Sequence, residues 1–199
     1  MVLTPSTMLP LGTPAPAFDL PDVVTGKRIT LASFAERKAL LVMFICRHCP
    51  YVQHVQEELA RFGKDYEGKG LGILAVSSND VTTHPEDAPD KLAAMARRLG
   101  FGFPFCYDES QAAAQAYRAA CTPDFFVFDG AKRLVYRGQL DDSRPGNGKP
   151  VTGKDLRAAT DAALAGRPVP APQKASIGCN IKWRAGNEPA YFAASGSGQ

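Results

Sequence analysis

The sequence predicts one α/β domain in which helices flank a central mixed β-sheet. Two continuous apolar runs, 40–45 and 71–77, have the length and composition of strands that are buried on both faces. Between them, residues 51–62 repeat apolar side chains every three or four positions, which is typical of an amphipathic helix. These pieces form a βαβ unit, whose strands are parallel. Later, the runs 125–130 and 133–137 flank a glycine-containing turn and predict an antiparallel hairpin.

Length and composition favour an ordinary globular protein. The chain has 199 residues, enough for one domain with its own core, and 45% of them are hydrophobic. The net charge of +3 is spread thinly, so we expect no nucleic-acid partner. The longest apolar run, 39–46, is too short to span a membrane, and the N-terminus lacks the basic start of a signal peptide. We therefore expect a cytoplasmic protein without a membrane partner.

The remaining segments divide into a domain and a tail. Residues 1–165 are expected to form the domain, with its core at about 14–165 and a proline-rich extended lead-in at 3–21. Residues 166–199 are expected to form a proline-rich linker and a tail that packs on the domain, with disorder from Ala194 to the end. Further elements are a strand at 103–107, helices at 90–99, from Asp108 or Ser110 to Ala119 and at 154–164, and a strand at 176–183.

The motif Cys46-Arg47-His48-Cys49 follows the first buried strand directly and precedes the amphipathic helix. A C-x-x-C in this context is typical of redox chemistry, because unpaired N–H groups and the helix dipole stabilise a thiolate. Arg47 and His48 add cationic character, so we expect a lowered thiol pKa. Cys46, at the start of the helix, is predicted to be the more exposed and more acidic nucleophile. Cys49, more buried, is predicted to resolve the mixed disulfide.

A zinc site is an alternative use of the same two cysteines. Cys46 and Cys49 have the spacing of a first ligand pair, but neither a second C-x-x-C nor an H-x-x-x-H follows. Cys121, Cys179 and His48 remain as further ligands. We expect no bound metal and no cofactor, and keep a redox-inactive zinc-binding module as an alternative function.

Three motifs follow one another along the chain: 14–20 (PAPAFDL), 46–50 (CRHCP) and Thr122-Pro123 ahead of the hairpin. Their order resembles the thioredoxin-like superfamily, and more closely its redoxin branch related to alkyl hydroperoxide reductases and thiol-specific antioxidants (AhpC/TSA). This resemblance implies a three-layer thioredoxin-like fold. It also implies a cis Thr122–Pro123 bond beside the C-x-x-C, and a Thr122 backbone that pairs with an extended substrate segment.

Two departures from this pattern concern the chemistry. Thioredoxin has Trp before its first cysteine and an acidic residue in the preceding strand, whereas this chain has Ile45 and no acid in 40–45. Peroxiredoxins carry P-x-x-x-T/S-x-x-C, and neither Cys46 nor Cys49 is preceded by that proline and hydroxyl. A thiol peroxidase that uses Cys46 as the peroxidatic thiol is therefore the second interpretation.

The other cysteines and two histidines are assigned less active roles. Cys106 lies in an apolar segment and is expected in the core. Cys121 and Cys179 are interpreted as buried small residues or as additional redox thiols, with Cys179 as a distal resolving cysteine. His54 and His84 are expected at the surface. The loop that starts at Asp141 is expected to begin beside the C-x-x-C, either as a solvated connector or as a segment that selects substrates.

The sequence as a whole predicts a thiol–disulfide oxidoreductase with antioxidant activity possible. Its partners would be a disulfide-containing protein or small molecule and a thiol reductant.

Overall fold

The computed structural model describes residues 3–195. The strands are β1 (Leu3–Pro5), β2 (Asp19–Pro21), β3 (Arg28–Thr30), β4 (Ala39–Phe44), β5 (Leu71–Ser77), β6 (Phe105–Tyr107), β7 (Cys121–Thr122), β8 (Asp124–Phe128), β9 (Leu134–Gly138) and β10 (Ile177–Asn180). The α-helices are α1 (Pro50–Asp65), α2 (Pro89–Leu99), α3 (Ala112–Ala116), α4 (Lys154–Leu164) and α5 (Ala190–Ser195). Short 3-10 turns lie at Leu31–Phe34 and Pro85–Asp87.

The central sheet has five strands in the order β6-β5-β4-β8-β9. β4, β5 and β6 are parallel, whereas β8 runs antiparallel to β4, and β9 runs antiparallel to β8. The predicted βαβ unit, hairpin and mixed sheet are therefore confirmed. The arrangement is thioredoxin-like, because helices cover both faces of this mixed sheet.

Alternation along the central strands creates two cores. Leu41, Met43 and Ile45 point towards α1, α2 and α4, and Leu40 and Val42 point to the opposite face. That second face is covered by α3, by the N-terminal segment through Phe18, and by Ile181 and Trp183 of the tail. Both chain ends therefore contribute buried side chains to the layer behind the sheet.

A second, three-stranded antiparallel sheet brings the tail to the edge of the domain. Its order is β1-β10-β7, so β10 lies between the N-terminal strand and the short strand ahead of Pro123. The strand predicted at 176–183 is shorter, because the chain leaves the ladder after Asn180. The division into a domain ending at 165 and a tail remains a prediction.

Several boundaries differ from expectation by a few residues, among them the end of α3 and the expected disordered segment. α3 ends at Ala116 rather than Ala119, because Arg118 adopts a left-handed φ of 50°, which a right-handed helix cannot continue. The segment predicted to be disordered starts at Ala194, whereas Ala194 and Ser195 end α5 and residues 196–199 lie outside the described range. Within residues 3–195, no helix has the length and apolar content needed to cross a membrane.

Candidate active site

The C-x-x-C lies between the carboxyl end of β4 and the first turn of α1. Cys49 is the N-cap residue of α1 in an extended conformation, and its carbonyl accepts the N–H of Gln53 at 2.9 Å. Pro50 occupies the first turn, where its missing N–H removes no helical hydrogen bond. Both thiols are thereby held at one end of the central sheet.

Cys46 is buried, with 1% of its surface exposed. Its Sγ lies 3.4 Å from the Thr122 hydroxyl and 3.9 Å from Nδ1 of His48. Burial raises the pKa of Cys46 well above its usual value, and the Asp87 carboxylate raises it further. Cys46 and Cys49 are equally buried in this structure, and burial opposes the lowered pKa expected for Cys46 at a helix N-terminus. The assignment of Cys46 as the more acidic nucleophile remains a prediction.

Asp87 organises the loop around the motif. Its Oδ1 accepts the backbone N–H groups of Arg47 at 2.7 Å and His48 at 3.1 Å. Its Oδ2 lies 2.5 Å from Nδ1 of His48 and accepts the Asn79 amide at 2.8 Å. Burial would raise the pKa of Asp87, but hydrogen bonds from His48 and Asn79 lower it. The hydrogen bond to Asp87 raises the pKa of His48, which favours an imidazolium beside Cys46.

Sequence reasoning missed Asp87 and Asn79. Both residues follow β5, whereas the C-x-x-C follows β4. Because the carboxyl ends of the parallel strands β4 and β5 lie at the same edge of the sheet, the sequence could have predicted that these residues approach the C-x-x-C. His84, assigned to the surface, is half-buried with its ring centroid 4.9 Å from that of His48. Arg47 contributes its backbone N–H, while its exposed guanidinium donates to the Glu86 carbonyl at 3.5 Å.

Cys49 is fully buried and lies against a third thiol. Its Sγ is 2.8 Å from Sγ of Cys179 and 3.2 Å from the carbonyl oxygen of Thr122. Hydrogen bonding with Cys179 and Cys46 lowers the pKa of Cys49. The hydrogen bond to Cys49, together with burial, raises the pKa of Cys179. The three thiols thus share one buried cluster with Cys49 at its centre.

The Thr122–Pro123 peptide bond is cis, and Thr122 contacts both sulfur atoms of the motif. The backbone of β7 is already paired, with Thr122 opposite Cys179 and Cys121 opposite Asn180 of β10. The expectation of a Thr122 edge open to a substrate strand is therefore wrong for this conformation, because the chain's own tail occupies it.

Residues 11–137, which include both motif cysteines and Pro123, match the AhpC/TSA family model. The chain belongs to the AhpC/TSA family.

Three relatives illustrate the breadth of the resemblance. A hypothetical protein of Sinorhizobium meliloti is 53% identical, with a TM-score of 0.90 over 92% of this chain and 100% of its own. A thiol:disulfide interchange protein of Chlorobium tepidum shares the fold at 18% identity, with a TM-score of 0.60 over 78% of this chain and 99% of its own. A Mycobacterium tuberculosis protein named putative peroxiredoxin is 26% identical over 59% of this chain and 69% of its own.

The other two cysteines of this AhpC/TSA member are also buried, and their sulfur atoms contact backbone oxygens rather than the three thiols of the cluster. Cys106 has a pKa raised to about 12, mainly by burial, as suits a core residue. Burial also raises the pKa of Cys121 well above its usual value, and its Sγ lies 3.7 Å from the Pro123 carbonyl oxygen. Neither environment favours a thiolate.

The loop after β9 lies beside the first turns of α1. Ser143 hydrogen-bonds with Nε2 of His54 at 2.7 Å, so His54 is half-buried rather than at the surface. Tyr51, His54, Pro123, Ser143 and Ile177 line a shallow cleft there. The loop therefore borders the proline side of the site, and a role in selecting substrates remains a proposal.

One set of potential metal ligands overlaps the site. Cys46, His48 and Asp87 place their ligand atoms within 4.8 Å of one another. Both Asp87 oxygens already accept hydrogen bonds, so a metal would have to displace His48 from Asp87. The predicted absence of a metal is not tested by this arrangement.

Proposed function

We propose that the protein is a thiol–disulfide oxidoreductase in which Cys46 attacks and Cys49 resolves. The Cys46 thiolate attacks a substrate disulfide, forms a mixed disulfide and releases the first substrate thiolate. The Cys49 thiolate then attacks Sγ of Cys46, which forms the Cys46–Cys49 disulfide and releases the second substrate thiolate. A thiol reductant returns the pair to the dithiol. The observation that carries this proposal is the contact of Thr122 with both sulfur atoms at the start of α1.

The assignment of the two roles rests on access to the two sulfur atoms. Cys49 is enclosed by Cys46, Cys179 and the Thr122 carbonyl, whereas Cys46 adjoins Arg47 and His48, whose side chains reach solvent. Once Cys46 is in the mixed disulfide, its hydrogen bond to Cys49 is lost, but the hydrogen bond with Cys179, the largest cause of the lowered Cys49 pKa, remains for the second attack. The imidazolium of His48, held by Asp87, compensates the charge when Cys46 loses its proton.

The occupied Thr122 edge bears on the class of substrate. Because Cys46 is 1% exposed, even a small disulfide would reach it only after Arg47 and His48 move aside, with Thr122 and Pro123 as the adjoining wall. A protein disulfide that binds by strand pairing requires β10 to leave β7. A reducing cytoplasm would supply the thiol reductant.

Peroxide reduction is the second candidate. It is favoured by the Thr122 hydroxyl 3.4 Å from a buried sulfur that only a small oxidant reaches easily, and by the peroxiredoxin name of one relative. The absence of the P-x-x-x-T/S-x-x-C hydroxyl speaks against it.

Turnover assays separate these functions. Reduced protein is mixed with oxidised glutathione, insulin or hydrogen peroxide, and the wild type is compared with Cys46→Ser, Cys49→Ser and the core control Cys106→Ala. We expect disulfide turnover to fall at least about 100-fold in Cys46→Ser and to persist in Cys106→Ala. Full disulfide turnover by Cys46→Ser contradicts the proposal. Stoichiometric zinc in freshly purified protein, with no turnover, would support the binding module instead.

A further inference from the structure

Cys179 is placed against Cys49 by the fold itself. Its strand is paired on both sides, with Leu3 of β1 and with Thr122 of β7, so its side chain has a fixed direction. Cys179 is 1% exposed and its Sγ lies 2.8 Å from Sγ of Cys49. A disulfide has a sulfur–sulfur distance of about 2.05 Å, so less than about 1 Å of movement would allow bonding.

Close backbone approach supports the same placement. A Cβ at Gly178 would lie 2.0 Å from the carbonyl oxygen of Thr122 and 3.3 Å from the nitrogen of Pro123. Only glycine therefore lets β10 reach the depth at which Cys179 meets Cys49. After β10, the tail is also linked to the loop around the motif by hydrogen bonds. The Lys182 backbone N–H donates to the Asn79 side-chain oxygen, and the Asn79 amide donates to Asp87.

We propose that Cys179 is a third redox thiol that takes the disulfide over from Cys46. The Cys179 thiolate attacks Sγ of Cys49 in the Cys46–Cys49 disulfide, and the electron pair of the broken bond returns to Cys46. The Cys49–Cys179 disulfide forms and Cys46 leaves as a thiolate. The proton that Cys179 released to solvent before the attack is balanced by the proton that Cys46 takes up from solvent afterwards. The number of disulfides is unchanged, so the step needs no further oxidant. It rests on the proposed function, which makes the first disulfide.

The consequence is a division of labour among three sulfur atoms. The oxidised pair is held in the buried part of the cluster, and Cys46 is left reduced beside His48. An external thiol reductant can still reduce the protein. Cys46 attacks Sγ of Cys49, which re-forms the Cys46–Cys49 disulfide, and the reductant then reduces that disulfide.

Disulfide mapping tests this relay, and the sequence makes the mapping simple. Trypsin separates the three thiols, because Cys46 lies in peptide 39–47, Cys49 in 48–61 and Cys179 in 175–182. Protein oxidised with a slight excess of oxidised glutathione is alkylated in acid, digested and analysed by mass spectrometry. We expect the 48–61 peptide joined to 175–182 in most molecules, with Cys46 alkylated.

A variant without Cys46 tests the pair alone. In a glutathione redox buffer, Cys46→Ser is expected to form the Cys49–Cys179 disulfide, as is the control Cys46→Ser with Cys106→Ala. Cys46→Ser with Cys179→Ala is expected to leave Cys49 free or glutathionylated, and circular dichroism checks its fold. Oxidised wild type that contains only Cys46–Cys49, together with alkylated Cys49 and Cys179 in Cys46→Ser, overturns the relay. Disulfide turnover by wild type in that case leaves the proposed function standing. If the wild type shows no disulfide turnover but the Cys49–Cys179 disulfide forms fully, the proposed oxidoreductase function is overturned and Cys179 is still supported as a redox thiol.

Discussion

Gly178→Ala is the substitution whose effects the structure predicts most clearly. The added methyl group would lie 2.0 Å from the carbonyl oxygen and 2.8 Å from the carbonyl carbon of Thr122, and both are backbone atoms. Because ordinary contact needs more than about 3 Å, β10 must move away from β7 by on the order of 1 Å. Overpacking of this kind costs about 1–3 kcal/mol of unfolding free energy. The same movement separates Cys179 from Cys49 and loosens the cover over Thr122.

Urea unfolding, disulfide mapping and turnover measure the three effects in one variant. We expect a loss of about 2 kcal/mol in unfolding free energy, a reduced yield of the Cys49–Cys179 disulfide, and a higher ratio of insulin to oxidised-glutathione turnover. Gly102→Ala is the matched control, because a Cβ there meets no atom within 4 Å and its φ is not left-handed. We expect that control to stay within about 0.5 kcal/mol of wild type. A Gly178→Ala protein with wild-type stability and a full yield of the disulfide would refute the reasoning.

Three further predictions concern charge and packing. Burial raises the pKa of Asp124 to about 7, so the folded state holds a proton more tightly than the unfolded state, and unfolding free energy falls by about 4 kcal/mol between about pH 4 and pH 8 from this group. Asp124→Asn is expected to lose that decline in urea titrations, and an unchanged pH slope would contradict the assignment. Asp87→Asn is expected to lower the pKa of His48 towards its ordinary value in an NMR titration, because the hydrogen bond that His48 donates to the Asp87 carboxylate is the main cause of its rise; an unshifted titration would remove Asp87 from this role. Phe126→Ala is expected to cost about 3–5 kcal/mol in urea unfolding, since Phe126 is fully buried against Phe44 and Tyr117, and a loss below about 1 kcal/mol would contradict that packing.

The central sheet was predictable from the sequence because its information is local. Strand β5 and helix α4 have the predicted bounds, and β4 is displaced by one residue. Continuous apolar runs report burial on both faces, and the 3.6-residue period reports the covering helix. The place of the C-x-x-C at the start of α1 follows from the same patterns.

The surroundings of the two thiols depend on contacts between distant segments, which local patterns do not encode. The pairing of β10 with β7 joins residues more than 50 positions apart. The main sequence feature that allows this pairing is Gly178, because any side chain there would clash with the Thr122 carbonyl. That pairing places Cys179 against Cys49 and covers Thr122, and burial raises the pKa of Cys46, contrary to the lowering expected from its place ahead of the helix. Asp87 likewise reaches the motif only through the fold, from the loop after β5.

Trapping of the first covalent intermediate tests the central claim most directly. The Cys49→Ser variant is reduced, mixed with oxidised glutathione, alkylated in acid and digested with trypsin. If Cys46 is the attacking thiol, a glutathione adduct accumulates on peptide 39–47, since the resolving thiol is gone, and Cys106→Ala in the same background leaves it unchanged. An adduct found on the Cys179 or Cys121 peptide, with Cys46 recovered fully alkylated, would contradict the account.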